Sequence, residues 1–238
     1  MSSSTILKKP MMAGVFALTL GGIFLLAPVH AQTTASPTFL ITWKTTGSYI
    51  PSFYEGKALP TYGSKITASL ELISPQGKVL DLSEKTIYWY VDDMLVGGGT
   101  GVQQATFPPI GNAPNTVNVR VTIPNYNGAF LDHAINVPMV LPKAVIYAPY
   151  PGGDFSQNPI SVQALPYFFN IADPSNLSYA WSVNGQSGSN TENPETADVT
   201  LPQGTPSGTG VTTALTITNP KDSTVATADA NLNYQSQL

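Results

Sequence analysis

Three short segments recur in one order and at nearly one spacing along this 238-residue chain. Ile66-Thr67-Ala68 is matched by Ile160-Ser161-Val162, and Val121-Thr122-Ile123-Pro124-Asn125 by Leu215-Thr216-Ile217-Thr218-Asn219, both displaced by 94 residues. Between them, Trp89-Tyr90-Val91-Asp92-Asp93 is matched by Trp181-Ser182-Val183-Asn184-Gly185 at a displacement of 92. Single triplets agree by chance, but a common displacement across residues 66–125 marks a duplicated unit. Each copy is then a domain of about 100 residues, a common domain size. The division falls near Leu141 to Lys143, giving a short linker at 32–37, one domain at 38–141 and a second at 142–238.

Within each copy the hydrophobic period is two. Ile66, Ala68, Leu70 and Leu72 alternate with Thr67, Ser69 and Glu71; Val117, Val119, Val121 and Ile123 form a second such run, and Val211, Thr213, Leu215 and Ile217 a third. Alternation of this kind makes strands with one apolar face. Turn-forming clusters separate the runs: Gly97-Gly98-Gly99, Pro108-Pro109, Asn125 to Gly128, Asn184-Gly185 and Asn219-Pro220. The chain therefore reads as all-β, as two sandwiches of short strands. On the repeated strand, Ile87, Trp89 and Val91 share one face, as do Tyr179, Trp181 and Val183. A tryptophan at the centre of a sandwich removes about 150–250 Å² from water, on the order of 4–6 kcal/mol. Trp89, Val91, Trp181 and Val183 are accordingly the expected structural core.

Tyr179-Ala180-Trp181-Ser182-Val183-Asn184-Gly185 resembles the third strand of bacterial immunoglobulin-like and PKD-like domains of surface proteins, which often reads Tyr-x-Trp-x-Val-Asn-Gly. Ile87 to Asp93 is a looser version of it. The resemblance implies two tandem immunoglobulin-like β-sandwich domains and carries over no catalytic residue. The sheet-bridging cysteine pair of antibody-type domains is missing, since the chain has no cysteine, and so is the Asp-Phe-Gly-Asp of many PKD strands.

The N-terminus points to export. Lys8 and Lys9 precede Met11 to Val29, an uncharged and mostly apolar run, and Val29-His30-Ala31 presents a small-residue cleavage pattern before Gln32. Residues 1–31 are thus a signal peptide cut between Ala31 and Gln32, or an uncleaved N-terminal anchor helix, because about 18 apolar residues suffice to span a bilayer. Either way the domains lie outside the cytoplasm, secreted or held on the outer face of the membrane. Residues 11–29 would be the only membrane attachment.

Composition excludes several function classes. The net charge is −4 and Arg120 is the single arginine, so a nucleic-acid surface of clustered cations cannot be built. Without cysteine there is neither a disulfide framework nor a thiolate metal site. His133 is the only histidine after the signal; Asp132 beside it would point to the opposite face of a strand, which breaks a Ser-His-Asp arrangement. Asp92 and Asp93 are the conspicuous carboxylate pair and the calcium candidates, but they stand where the second copy has the hairpin dipeptide Asn184-Gly185, so a turn explains them. Glu192, Glu195 and Asp198 are loosely spaced. Gly97 to Gly101 lacks the Lys-Ser/Thr of a phosphate loop and reads as a strand connection. No cofactor is expected.

The residues most suited to binding lie in Gly47 to Gly63, where Tyr49, Phe53, Tyr54 and Tyr62 sit among Pro51, Pro60 and Gly56. Such a proline-braced aromatic loop either forms a platform for a sugar or peptide or caps the open end of the first sandwich. Tyr167, Phe168 and Phe169 form a comparable cluster in a strand of the second copy, and Pro142, Tyr147, Pro149, Tyr150 and Pro151 read as a stiffened interdomain link. The overall expectation is a non-enzymatic structural or adhesive module of the bacterial cell surface. Its partner would be a protein or glycan. A glycan- or peptide-binding module acting through loop 47–63 is the alternative, and a carboxylate-dependent hydrolase using Asp92 or Glu195 a further one.

Overall fold

The computed structural model describes residues 36–110, 115–188 and 192–236. The hydrophobic run at 11–29 and the Ala31/Gln32 junction lie outside the described residues. No helix among the described residues is long and apolar enough to cross a membrane.

The first sandwich contains β1 (Thr38–Thr46), β2 (Lys65–Ile73), β3 (Thr86–Val91), β4 (Met94–Thr100), β5 (Gln104–Phe107), β6 (Thr116–Tyr126) and β7 (Ala129–Pro138). They pair as one sheet in the order β1-β2-β5 and a second in the order β4-β3-β6-β7. The second sandwich repeats this plan with β8 (Lys143–Tyr147), β9 (Asp154–Phe155), β10 (Ile160–Tyr167), β11 (Ser178–Val183), β12 (Gln186–Gly188), β13 (Thr196–Val199), β14 (Thr209–Thr218) and β15 (Val225–Tyr234). Its sheets run β13-β10-β8 and β12-β11-β14-β15-β9, with β9 parallel to β15. The chain is two tandem immunoglobulin-like sandwiches, and the three alternating runs occupy β2, β6 and β14 with their apolar faces buried.

The duplication extends to individual bonds. Trp89 pairs across the sheet with Val121, and Trp181 with Leu215. Both indoles are buried, at 0% and 3% exposure, and each donates its Nε1–H to a backbone carbonyl 13 residues on, Val102 at 2.9 Å and Pro194 at 3.1 Å. A buried indole N–H without such a partner would be costly, so the sandwich supplies one in each copy. Val91 is fully buried, and Val183 packs half-buried against the second core. Asp92 and Asp93 have φ of 44° and 65°, Asn184 and Gly185 of 48° and 77°, the left-handed pair of a two-residue hairpin turn. Asp92 Oδ1 accepts the amide of Asn118 at 3.0 Å, as Asn184 Oδ1 accepts that of Thr212 at 2.9 Å.

Two expectations are corrected. Gly97 to Gly99 are not a turn or strand connection: they lie within β4, opposite Trp89, Tyr88 and Ile87. Gly98 is required there because a Cβ would stand 2.5 Å from Tyr88 Cδ1 and 2.7 Å from the Ile87 carbonyl, so the Tyr88 side chain packs directly against its backbone. Tyr147 is not part of the interdomain link either; it ends β8, and Pro149 to Pro151 follow that strand inside the second sandwich.

Candidate functional site

Loop 47–63 connects β1 to β2 in the first sandwich and is closed by its own bonds. Gly47 and Gly63 take φ of 74° and 77° at its two ends. Ser48 Oγ donates to the Leu59 carbonyl at 2.6 Å across the neck, Pro51 and Pro60 are buried, and the Val140 amide donates to the Pro60 carbonyl at 3.0 Å. Lys57 sits over the Trp43 ring of β1 at 3.4 Å, a cation–π contact, and burial lowers its pKa. The loop is thereby fixed to its own sandwich.

Its aromatic residues do something other than cap that sandwich. The Tyr49 amide donates to the Phe169 carbonyl at 2.9 Å, and the Phe168 amide donates to the Tyr49 carbonyl at 2.6 Å. A strand-like pair of main-chain bonds therefore joins the first sandwich to the second. β10 ends at Tyr167, so Phe168 and Phe169 lie beyond the strand assigned to them from sequence. Phe168 takes φ of 60°, rare for a bulky residue and of order 1–3 kcal/mol unfavourable. This reversal sends Phe169 into the second core, fully buried, and leaves Phe168 against Tyr54. The Tyr54 ring meets Tyr167 edge-on at 5.6 Å and Phe168 at 6.0 Å. Asn170 packs against both end glycines of the loop: a Cβ on Gly47 would stand 2.9 Å from Asn170 Oδ1, and one on Gly63 would collide with Asn170 Nδ2.

The surface beneath the loop is the outer face of β8-β10-β13. Ile160, Val162, Ala164 and Pro166 of β10 point to the core, so Gln163, Leu165 and Tyr167 point outward. Phe53, 63% exposed, faces them across a cleft of about 310 Å³ lined by Phe53, Tyr147, Gln163 and Leu165. Tyr147 and Gln163 are cross-strand partners. Of the four aromatic candidates, Tyr49 and Tyr54 are thus used by the junction, Phe53 lines a cleft, and Tyr62 is exposed without lining it. Gln163 and Leu165 carry no sequence expectation, and Tyr147 is expected in the interdomain link rather than at a binding surface; the available signal is Leu165 and Tyr167 standing on the polar phase of β10.

Two tyrosines at the junction hold their protons tightly. Burial, then the charges of Glu195 and Asp173, raise Tyr49; burial, then Glu195, raises Tyr179, whose hydroxyl donates to the Pro174 carbonyl at 3.0 Å. A phenol whose folded pKa exceeds its unfolded value of 10.0 contributes stability that is complete below pH 10 and lost as pH rises above it. Stability is expected to be flat up to about pH 10 and to fall beyond it. In urea titrations from pH 8 to 11.5, Tyr179→Phe should reduce that slope, by well under one proton's worth because the phenol is only half-buried and partly screened by solvent. An unchanged slope would mean that Tyr179 titrates freely.

The sequence-derived chemical candidates are engaged elsewhere. Asp93 pairs with Arg120 at 3.1 Å, Asp132 lies 3.7 Å from the same guanidinium, and Arg120 covers the Tyr90 ring at 4.3 Å. His133 stacks on Phe39 at 5.1 Å, on the face of β7 opposite to Asp132. Among the described residues no group of three His, Asp or Glu is placed to hold a metal ion.

No family model matches the sequence, and no curated protein matches it. Among solved structures, the chain is similar to the Clostridium thermocellum CbhA fibronectin(III)-like modules, with 15% identity over 80% of this chain and 94% of that one, at a TM-score of 0.29. It is similar also to the central fibronectin-III array of RIM-binding protein, with 12% identity, coverage of 88% and 72%, and a TM-score of 0.30. A third is Dpr2 Ig1-Ig2 in complex with DIP-Theta Ig1-Ig3, with 10% identity, coverage of 85% and 100%, and a TM-score of 0.26.

Proposed function

We propose that the chain is an exported, non-enzymatic structural or adhesive module, and that it holds an extended protein segment in the cleft between Phe53 and Tyr147. The observation carrying this reading is the main-chain pairing of Tyr49 with Phe168 and Phe169, which fixes an exposed aromatic side chain over the neighbouring domain. A rigid aromatic anchor gives contact area with little entropy lost on binding. The lining of Phe53, Tyr147 and Leu165 with one amide, Gln163, favours an apolar side chain with a polar backbone beside it. The non-enzymatic part is supported by the occupation of Asp92 in a turn, Asp93 on Arg120 and His133 on Phe39. The exported part rests on residues 1–31.

One experiment tests both parts: the purified full-length protein is screened on immobilised peptide panels for retention and, with chromogenic glycosides added, for turnover. Retention without cleavage is expected, with Phe53→Ala weakening it about tenfold, the scale of one interface anchor. Turnover abolished by Asp92→Asn or Glu195→Gln would establish the hydrolase alternative instead.

A further inference from the structure

The two sandwiches each carry a cleft at the same position of the fold, and only the first is built around an aromatic residue. In the first, a cleft of about 500 Å³ lies between the start of β3 and the end of β6, with Glu84 and Asn125 in its lining. In the second, a cleft of about 380 Å³ has Asn176 and Asn219 in its lining, and these are the repeat counterparts of Glu84 and Asn125 at the displacements of 92 and 94. The first adds Tyr88, whose cross-strand partner is Thr122. The corresponding residue in the second is Ala180, paired with Thr216.

Several features organise the first cleft around Tyr88. Tyr88 and Tyr90 share the outer face of β3, but Tyr90 already carries the Arg120 guanidinium, whereas Tyr88 lines the cleft. Gly98 lets the Tyr88 ring lie against the backbone of β4. The register of β6 against β7 shifts between Ile123 and Tyr126, an irregularity that re-aims side chains, and Asn125 falls within it. Asn125 Oδ1 accepts the Gly128 amide at 2.8 Å, which leaves its NH₂ end as the group for a ligand. Lys85 donates to Asn127 Oδ1 at 3.2 Å and lies 5.4 Å from the Tyr126 ring, so the ammonium is held in place.

We infer that this cleft is a binding site for a neutral saccharide. A pyranose ring presents an apolar C–H face, which matches a tyrosine ring, and a rim of hydroxyls that both donate and accept. Glu84, Lys85, Asn125 and Asn127 supply acceptors and donors around that ring. One carboxylate and one ammonium balance, so the site selects no net charge. The site stands apart from the Phe53 cleft and does not rest on it.

The test is a glycan array probed with the full-length protein in a detergent lacking a sugar headgroup, followed by calorimetric titration of the tightest neutral saccharide. Tyr88→Ala, which writes the second copy's residue into the first, should weaken binding about tenfold, while Tyr88→Phe keeps it within about threefold. Lys85→Met should weaken it as well, and Phe53→Ala should leave it unchanged. If Tyr88→Ala does not fold, Tyr88→Leu, which keeps bulk without a ring, takes its place with the same expected loss. The inference is overturned if no neutral saccharide binds, if binding survives both the Tyr88 and Lys85 substitutions, or if Phe53→Ala abolishes it.

Discussion

Replacing Trp89 with alanine is expected to remove about 3–5 kcal/mol of stability, the range for deleting a large aromatic side chain from a packed core. Trp89 is fully buried among Ile87, Val91, Val121 and the other residues of the first core. Its loss leaves a cavity and removes the donor that reaches the half-exposed Val102 carbonyl at 2.9 Å. Against a typical total of about 5–15 kcal/mol, the first sandwich would be close to unfolding. Trp89→Phe should cost less, because it keeps most of the apolar surface and loses only the donor and part of the volume. Trp181→Ala should behave similarly, since its indole repeats the same burial and the same bond 13 residues on. Urea unfolding monitored by circular dichroism measures all three. A loss under about 1 kcal/mol for Trp89→Ala would place it with ordinary surface changes and contradict the assignment of its face to the core.

The second large effect is expected at Gly63. Its φ of 77° lies where a side chain costs of order 1–3 kcal/mol, and any Cβ there would collide with Asn170 of the other sandwich. Gly63→Ala should therefore both strain the loop and push Asn170 away. The consequence for the junction is larger than for either core, because the main-chain bonds of Tyr49 with Phe168 and Phe169 stand beside Asn170 in the chain. Adding Asn170→Ala to Gly63→Ala should recover the steric part of the loss and leave the backbone part. Such non-additivity is the mark of two residues in contact. Additive losses, measured by urea unfolding of the single and double variants, would show that Asn170 does not occupy the space beside Gly63.

What was legible in the residues follows the range of the forces involved. The apolar faces of β2, β6 and β14 could be read because a period of two is a local property of the backbone. Trp89 and Trp181 could be placed because side chains alternate along a strand, which puts each on one face with Val91 or Val183. Asp92-Asp93 could be read as a turn because its counterpart is Asn-Gly. Gly97 to Gly99 were misread because a glycine run resembles a turn unless the ring packed on it is known; Tyr88, across the sheet, supplies that ring. Tyr147 was hidden by the prolines that follow it. β1 was not singled out although Phe39, Ile41 and Trp43 alternate along it, since as an edge strand its inward residues are only half-buried.

The candidate site was legible in its residues but not in its arrangement. Loop 47–63 announced itself by aromatic and proline content, and Tyr167 to Phe169 likewise. That the two clusters meet depends on Gly47, Gly63 and the left-handed Phe168 acting together, across more than 100 residues of chain. No local pattern encodes such a meeting. Two of the four aromatic candidates, Tyr49 and Tyr54, turned out to build the junction, leaving Phe53 to line the cleft.

Loop 47–63 of the first sandwich is bonded into the second. Amide hydrogen exchange in the wild-type protein, followed residue by residue at Tyr49 and Phe168, measures whether those bonds hold in solution. Each of these amides donates to a carbonyl of the other domain, at 2.9 and 2.6 Å. Both should be protected and exchange far more slowly than the exposed loop amides of Ser52 and Phe53, because opening them requires the junction to separate. Exchange of Tyr49 and Phe168 at the rate of those loop amides would mean that the two sandwiches are not bonded to each other there.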